Sequence, residues 1–361
     1  MANTSAVAGL TPQIWDDKFF KEYFQENRFA SEMGTSENSI IQVKQDLTKK
    51  RGDSITFALV NRLTGAGVTG ANTLVGNEEA MTTRSFALSV TQRRNAVVVS
   101  DYDEQLSAVP LRNAGRSVLM DWAQEDTRDR IIEALGSILG VAYGSATETN
   151  KDIWLVDNAD RCLFGALVGN NAANDHSACL AEIDNTADQL DTSAAMLMKR
   201  MALTASPKIR PIRSTTTGRR YYKMYVPPLV WRDLKTDTVI TNAQRDVGIR
   251  MQNEILFNGG DMEWDGIIFC EMDDIAVLTG VGAGSIDVAP VYLCGAQAVG
   301  YGIAKRWNTV TDDTDYHDKQ GVAIREFGNF GKMSFGNGST DTADLVDHGI
   351  VTGFFAAVAD S

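Results

Sequence analysis

Two stretches of strictly alternating apolar residues flank a glycine-rich loop, and a helix-length periodic segment follows close behind. Residues 53–60 put Ile55, Phe57 and Leu59 on one face, and the return stretch does the same with Phe86, Leu88 and Val90. A period of two gives each strand one apolar and one polar face, so residues 51–100 are expected to form an extended hairpin. The loop between them, TGAGVTGANTLVGNEEAM, contains Gly65, Gly67, Gly70 and Gly76 and cannot build a core of its own. A lone two-stranded ribbon is marginal in water, so something must cover its apolar face. Two covers are open: the chain's own sheet, or a second copy of the chain. The second is the expectation carried forward here.

From residue 111 the period becomes helical, with Val118, Leu119, Trp122, Ile132, Leu135, Ile138 and Leu139 on the apolar stripe and Gly140 suited to the C-cap. A helix over 111–139 is roughly 43 Å long at about 1.5 Å per residue. Its middle, QEDTRDR, is polar all round. Glu125, Asp126, Arg128 and Arg130 there must either bridge solvent or meet charged groups from elsewhere, other subunits included. Between hairpin and helix, residues 96–100 read as a buried strand and 101–110 as a turn.

Nearer the N-terminus, IWDDKFFKEYF (14–24) aligns Trp15, Phe19 and Tyr23 on one helical face. This stripe packs either on its own domain or, as an arm, on a neighbouring subunit. Further on, residues 153–168 read as strand with turns. Residues 190–203 read as a helix with Asp191, Thr192 or Ser193 as N-cap. Residues 222–226 form a strand stopped by Pro227 and Pro228, and 229–237 form a helix. Strands follow at 267–269, 275–278 and 288–294, a helix or strand at 297–307, and strands again at 322–327 and 350–358. The expected fold class is α+β, with two lobes.

Charge narrows the partners. The net charge of -13 repels phosphate backbones unless basic residues cluster on one face. One stretch does cluster: residues 206–223 hold Lys208, Arg210, Arg213, Arg219, Arg220 and Lys223 and no carboxylate. It is either a solvated crossing between domains or a patch for acidic neighbours or nucleic acid. The first residues lack the basic and apolar regions of a signal peptide, and no apolar run approaches the roughly 20 residues that span a bilayer. A soluble protein made in the cytoplasm, without a membrane partner, is expected. Cys162, Cys179, Cys270 and Cys294 form no C-x-x-C pair and read as buried thiols.

Tests for catalytic chemistry find little. Gly280 to Gly284 (GVGAG) lacks dinucleotide-loop spacing, and Gly328 to Lys332 (GNFGK) lacks that of a phosphate loop. The stretch DDTDYHD (312–318) is the single acidic cluster of interest, and it fails the calcium-loop pattern because Ile324 holds the twelfth place. No catalytic residue, metal or cofactor is assigned, and the chain is not expected to be an enzyme.

The order of these elements, with the stretches LTKKRGDSITF (47–57), GAGVTG (65–70), LVGNEE (74–79), QRRNAV (92–97) and YVPPL (225–229), resembles the major capsid proteins of tailed bacteriophages. That fold is typified by coliphage Hong Kong 97, and the stretches are most similar to the branch named after the podovirus N-four. The resemblance implies an N-terminal arm at 1–48 and an extended hairpin loop at 49–105. It implies a peripheral domain at 106–220 with its spine helix at 111–139, an axial domain at 221–296, and returning peripheral strands at 297–361. It implies self-assembly as hexamers and pentamers into an icosahedral virion shell, made in the host bacterial cytoplasm. Double-stranded DNA would be enclosed without sequence-specific binding.

Contacts between subunits would then involve Trp15, Phe19, Tyr23, the six hairpin residues above, Glu125, Asp126, Arg128, Arg130, Arg219 and Arg220. Further partners implied are a portal, a decoration protein and a separate scaffolding protein, the last because only about 50 residues precede the hairpin. One departure from the prototype matters: no lysine lies between Arg51 and Asn150, so covalent welding from this hairpin has no nucleophile. Two alternatives stand beside this reading. One is an encapsulin-type compartment with the same fold. The other is an enzyme with a site near residues 312–318 and His348.

Overall fold

The computed structural model describes residues 27–45, 52–63, 65–107, 109–214, 218–246 and 261–359. The chain divides into two compact units.

The smaller unit combines Thr91–Arg128 with Lys305–Gly328, together with the described end of the N-terminal segment. Strand Thr91–Ser100 pairs antiparallel with strand Lys319–Lys332, from Thr91 opposite Gly328 to Ser100 opposite Lys319, and it ends its sheet. The strand expected at 96–100 is therefore longer than predicted and is not buried: Val98 is 59% exposed. An edge position explains this, because one flank of the strand has no neighbour.

The turn expected at 101–110 is instead a helix, Asp101–Leu106. Ser100 Oγ accepts from the Asp103 amide and donates to the Asp103 carboxylate at 2.7 Å, which satisfies the first turn locally. The long helix Leu111–Gly136 begins here. Gly115 sits where a Cβ would be 3.0 Å from Val97, so the helix can lie close to the edge strand. The small core gathers Leu119, Ala123, Val322 and Ile324, with Trp122 set edge-on to Trp307 at 5.9 Å.

The larger unit is built on a seven-stranded sheet. Its strands run in the order Cys162–Phe164, Ile350–Ala356, Val288–Cys294, Arg220–Val226, Ile267–Glu271, Met262–Trp264, with Ile212–Arg213 added to Arg220–Val226. Every residue of Val288–Cys294 and Ile350–Ala356 is buried, so both faces of the sheet are covered. Met224 and Val226 pack on one side beneath helices Thr192–Thr204 and Pro228–Thr236. Tyr225 packs on the other with Phe29, Ile40, Ile131 and Leu135. At about 1.5–3 kcal/mol per buried apolar side chain, these two layers dominate the unit's stability.

Asp191 caps its helix by accepting from the Ala194 amide at 2.7 Å, one of the three caps considered from sequence. The stretch from 297, left open between helix and strand, is strand Val299–Thr314, and the strands expected after it appear as Lys319–Lys332 and Ile350–Ala356.

Several expectations fail here. The stretch expected as strand over 153–168 holds the end of a helix, Glu148–Asp157, capped by Thr147, and only Cys162–Phe164 is strand. Residues 275–278 form no strand; Ile275 is buried, and Leu278 makes a lone bridge to Val288. The long helix stops at Gly136, and Gly140 (φ 79°) instead serves the turn that bridges Ile138 to Val141. Strands from 221–296 share one sheet with Cys162–Phe164 and Ile350–Ala356, which leaves the expected division into domains as it was. The larger unit also holds a buried ion pair, Lys332 Nζ to Asp347 at 2.8 Å, with Trp154 Nε1 donating to the same carboxylate at 2.9 Å.

Candidate self-assembly surfaces

The hairpin forms as its alternation requires. Strands Ser54–Val60 and Thr83–Ser89 pair with Ile55 opposite Leu88 and Phe57 opposite Phe86. Its apolar face, however, is covered by its own chain, which corrects the expectation that a second copy must cover it. Ile55, Phe57 and Leu88 are 2%, 3% and 7% exposed, and they cluster with Met333 and Phe335. Leu59, Phe86 and Val90 pack against the same cluster.

Three glycines make this possible. A Cβ on Gly300 would lie 3.0 Å from the Phe57 ring, one on Gly302 3.1 Å from Ile55, and one on Gly331 2.8 Å from Leu88. Bare backbone at these positions lets the ribbon lie flush on the strands beneath. Arg84 adds an ion pair to Asp341 at 3.9 Å, and Ser85 donates to the same carboxylate at 2.6 Å.

Beyond this base the hairpin changes character. Leu63, Leu74, Val75 and Met81 are 61%, 62%, 83% and 65% exposed. Local bonds shape the tip, such as the Gly65 amide to Glu79 at 2.6 Å and the Asn77 amide to the Leu74 carbonyl at 3.0 Å. Gly67, Gly70 and Gly76 take positive φ angles that other residues resist. Exposed apolar side chains on a tip without a core are what a partner surface can cover.

Within the chain, the polar middle of the long helix finds partners for its two arginines. Arg128 is buried and reaches Glu125 at 3.7 Å, in the smaller unit. In the larger unit Arg130 is buried with its guanidinium 5.1 Å from the Phe330 ring centre. Glu125 and Asp126 are half-buried. Arg219 and Arg220 are exposed, at the start of the central strand Arg220–Val226. Trp15, Phe19 and Tyr23 lie outside the described residues.

Sequence reasoning missed one surface. In the smaller unit a groove of about 570 Å³ runs between the edge strand and the helices, lined by Val97, Val98, Leu106, Leu111 and Ala114. Around it Tyr102, Leu106 and Val118 are 70%, 69% and 53% exposed. The signal was present in the run Val97-Val98-Val99, which reads as core until the strand proves to be an edge.

All four cysteines are buried, and burial raises each thiol, Cys270 up to about 12. No group of three His, Cys, Asp or Glu residues there could hold a metal, and no described helix is long and apolar enough to cross a membrane. Residues 312–318 close a hairpin turn in the smaller unit, with Asp315 paired to Lys319 at 2.9 Å and Tyr316 fully exposed. His348 belongs to the larger unit, set edge-on to Phe335 at 5.2 Å; burial and the charges of Arg161 and Arg210 lower it to about 4.

Comparison with known proteins covers almost the whole chain. Residues 3–358 match the family described as "Phage capsid protein". The major capsid protein of Pseudomonas phage KPP25 is 27% identical, over 98% of each chain. Among solved structures, the cyanophage Pam1 capsid asymmetric unit aligns over 100% of both chains at 31% identity and a TM-score of 0.87. The capsid of Ralstonia phage GP4 also aligns over 100% of both, at 20% identity and a TM-score of 0.77, which bears on fold alone.

Proposed function

The chain belongs to the phage capsid protein family, and from that premise we propose how it assembles and what it encloses. Its fold is the Hong Kong 97-like capsid fold, and it serves as the major capsid protein of a tailed phage's icosahedral shell. In the proposed arrangement, copies form hexamers and pentamers around double-stranded DNA, assembled in the host cytoplasm with a scaffolding protein, a portal and a decoration protein. The observation that carries the reading is the end-to-end likeness to a phage capsid subunit at 31% identity, with no part of either chain left over.

The physical support is specific. The exposed apolar hairpin tip and the apolar groove beside the edge strand are surfaces a single chain leaves wet, and their burial in a shell gains about 25 cal/mol per Å². The base of the hairpin, fixed to its own sheet, would hold that tip in a set direction. A unique heterologous contact of this kind closes into rings. Arg219, Glu125 and Asp126 remain contact candidates because each is accessible at least in part. The division into arm, peripheral and axial regions is part of the same proposal. Locking is non-covalent from the hairpin, which has no lysine from Arg51 onward.

Electron microscopy of the expressed chain, with and without its scaffolding protein, tests the reading. Closed shells of uniform size are expected. Dispersed subunits under all assembly conditions would overturn it. Ladders of linked subunits after boiling mature shells in detergent would overturn non-covalent locking alone.

A further inference from the structure

Within the basic stretch 206–223 the fold pairs only part of the charge: Lys223 Nζ meets Glu32 at 2.5 Å. Across the whole chain 47 carboxylates outnumber 34 Lys and Arg residues, yet this stretch has six cations and no carboxylate. Strand Ile212–Arg213 pairs antiparallel with Arg220–Val226, which places Arg213 directly opposite Arg220. Like charges facing each other across a ladder destabilise it, so the pairing calls for an anion. Lys208, Arg210, Arg213, Arg219 and Arg220 are all exposed. Arg210 meets Glu37 at 3.3 Å, but no described carboxylate pairs with Lys208, Arg213 or Arg220.

The shape is concave. Arg210, Arg213, Ser214 and Arg220 line an open groove of about 920 Å³ together with Ser36, Glu37 and Asn38, the Glu37 carboxylate being held by Arg210. The apolar residues of the same stretch point inward, Ile209 and Ile212 being 3% and 5% exposed. Among the described residues no large apolar side chain is exposed between Leu203 and Val239. A protein partner held with energy needs apolar or aromatic anchors at the centre of its footprint, and this surface has none. A polyelectrolyte needs none: its affinity comes from counterion release, and guanidinium forks match phosphate oxygens.

We infer that this groove is a docking site for the phosphate backbone of duplex DNA, read without regard to sequence. The inference rests on the shell reading for its partner and adds where that partner touches the subunit. Contact is weak per copy and multiplied by repetition, which suits a container that is negative overall. Each phosphate neutralised contributes a salt slope of about -0.9 in log K against log salt.

The test uses the full-length unassembled subunit and a short mixed-sequence DNA duplex, with binding read by fluorescence anisotropy over a salt series. Arg213→Ala/Arg220→Ala should flatten the slope by about 1.8, from two lost contacts at about 0.9 each. Arg213→Lys/Arg220→Lys should recover the slope, which separates lost charge from a disturbed fold. Lys305→Ala/Arg306→Ala removes the same charge from exposed positions in the other unit and should leave the slope unchanged. Equal losses in both alanine pairs, or none in either, would overturn the inference. So would a poly-glutamate peptide that binds the wild-type groove where the duplex does not, since that result assigns the groove to an acidic protein segment. Shell formation is scored separately by microscopy. Subunits that bind the duplex through this groove yet never form shells would sink the shell reading and leave the site standing.

Discussion

The base and the tip of the hairpin share two strands and one sheet neighbourhood but differ in almost every physical respect. At the base, Ile55, Phe57 and Leu88 are buried on Gly300, Gly302 and Gly331. At the tip, Leu63, Leu74, Val75 and Met81 are mostly exposed, and the bonds are local. The base belongs to the stability of one chain. The tip contributes little to it, and its apolar surface gains only when another molecule covers it. Alternation in the sequence announces a greasy face, but it does not say whose surface lies beneath.

Substitutions at the two ends should therefore separate folding from assembly. The largest effect is expected from Phe57→Ala, which should cost about 3–5 kcal/mol in denaturant unfolding of the isolated subunit. A loss under 1 kcal/mol would mean the base is not packed as described. Next, Gly302→Val or Gly331→Val should cost about 1–3 kcal/mol by forcing Ile55 or Leu88 off its seat. Limited proteolysis should then cut within 54–89, and an unchanged digest would break the account of the glycines.

Acid should loosen the base before the tip changes. His348 lies edge-on to Phe335, part of the base cluster, and its folded-state value is lowered from 6.5 to about 4. A histidine lowered on folding is neutral in the folded state while the unfolded chain takes up a proton. Its contribution is thus present above pH 6.5 and lost as pH falls toward about 4. Hydrogen exchange at the base should quicken across that window, and His348→Gln should remove that part of the dependence. The smallest effect on the single chain is expected from Leu74→Ser/Val75→Ser, within about 0.5 kcal/mol of wild type. The same variant should assemble markedly less well by light scattering; full assembly would remove the tip from the interface.

Much was legible locally. The apolar face of the hairpin, with Ile55, Phe57, Phe86 and Leu88 on it, follows from period two, and the long helix follows from period 3.6. The misses share a cause. Helices Asp101–Leu106 and Glu148–Asp157 are short, and their only strong local signals are the caps Ser100 and Thr147, which a search for apolar periodicity passes over. Spacing leaves the helix middle either bridging solvent or meeting outside charges, because the burial of Arg128 and Arg130 within the chain leaves no trace in it.

By itself the sequence determined which residues alternate, where the long helix begins, where cations gather without carboxylates, and the likeness to tailed-phage capsid subunits. Those are properties of neighbours along the chain, set by side-chain geometry over a few residues. Only the tertiary structure decided that the ribbon's base lies on its own glycine-paved strands, that the valine run is an edge, and that Arg210, Arg213 and Arg220 line one groove with residues 36–38. Each of these depends on segments far apart in the chain meeting in space. Burial is a property of that meeting, and no local pattern encodes its partner.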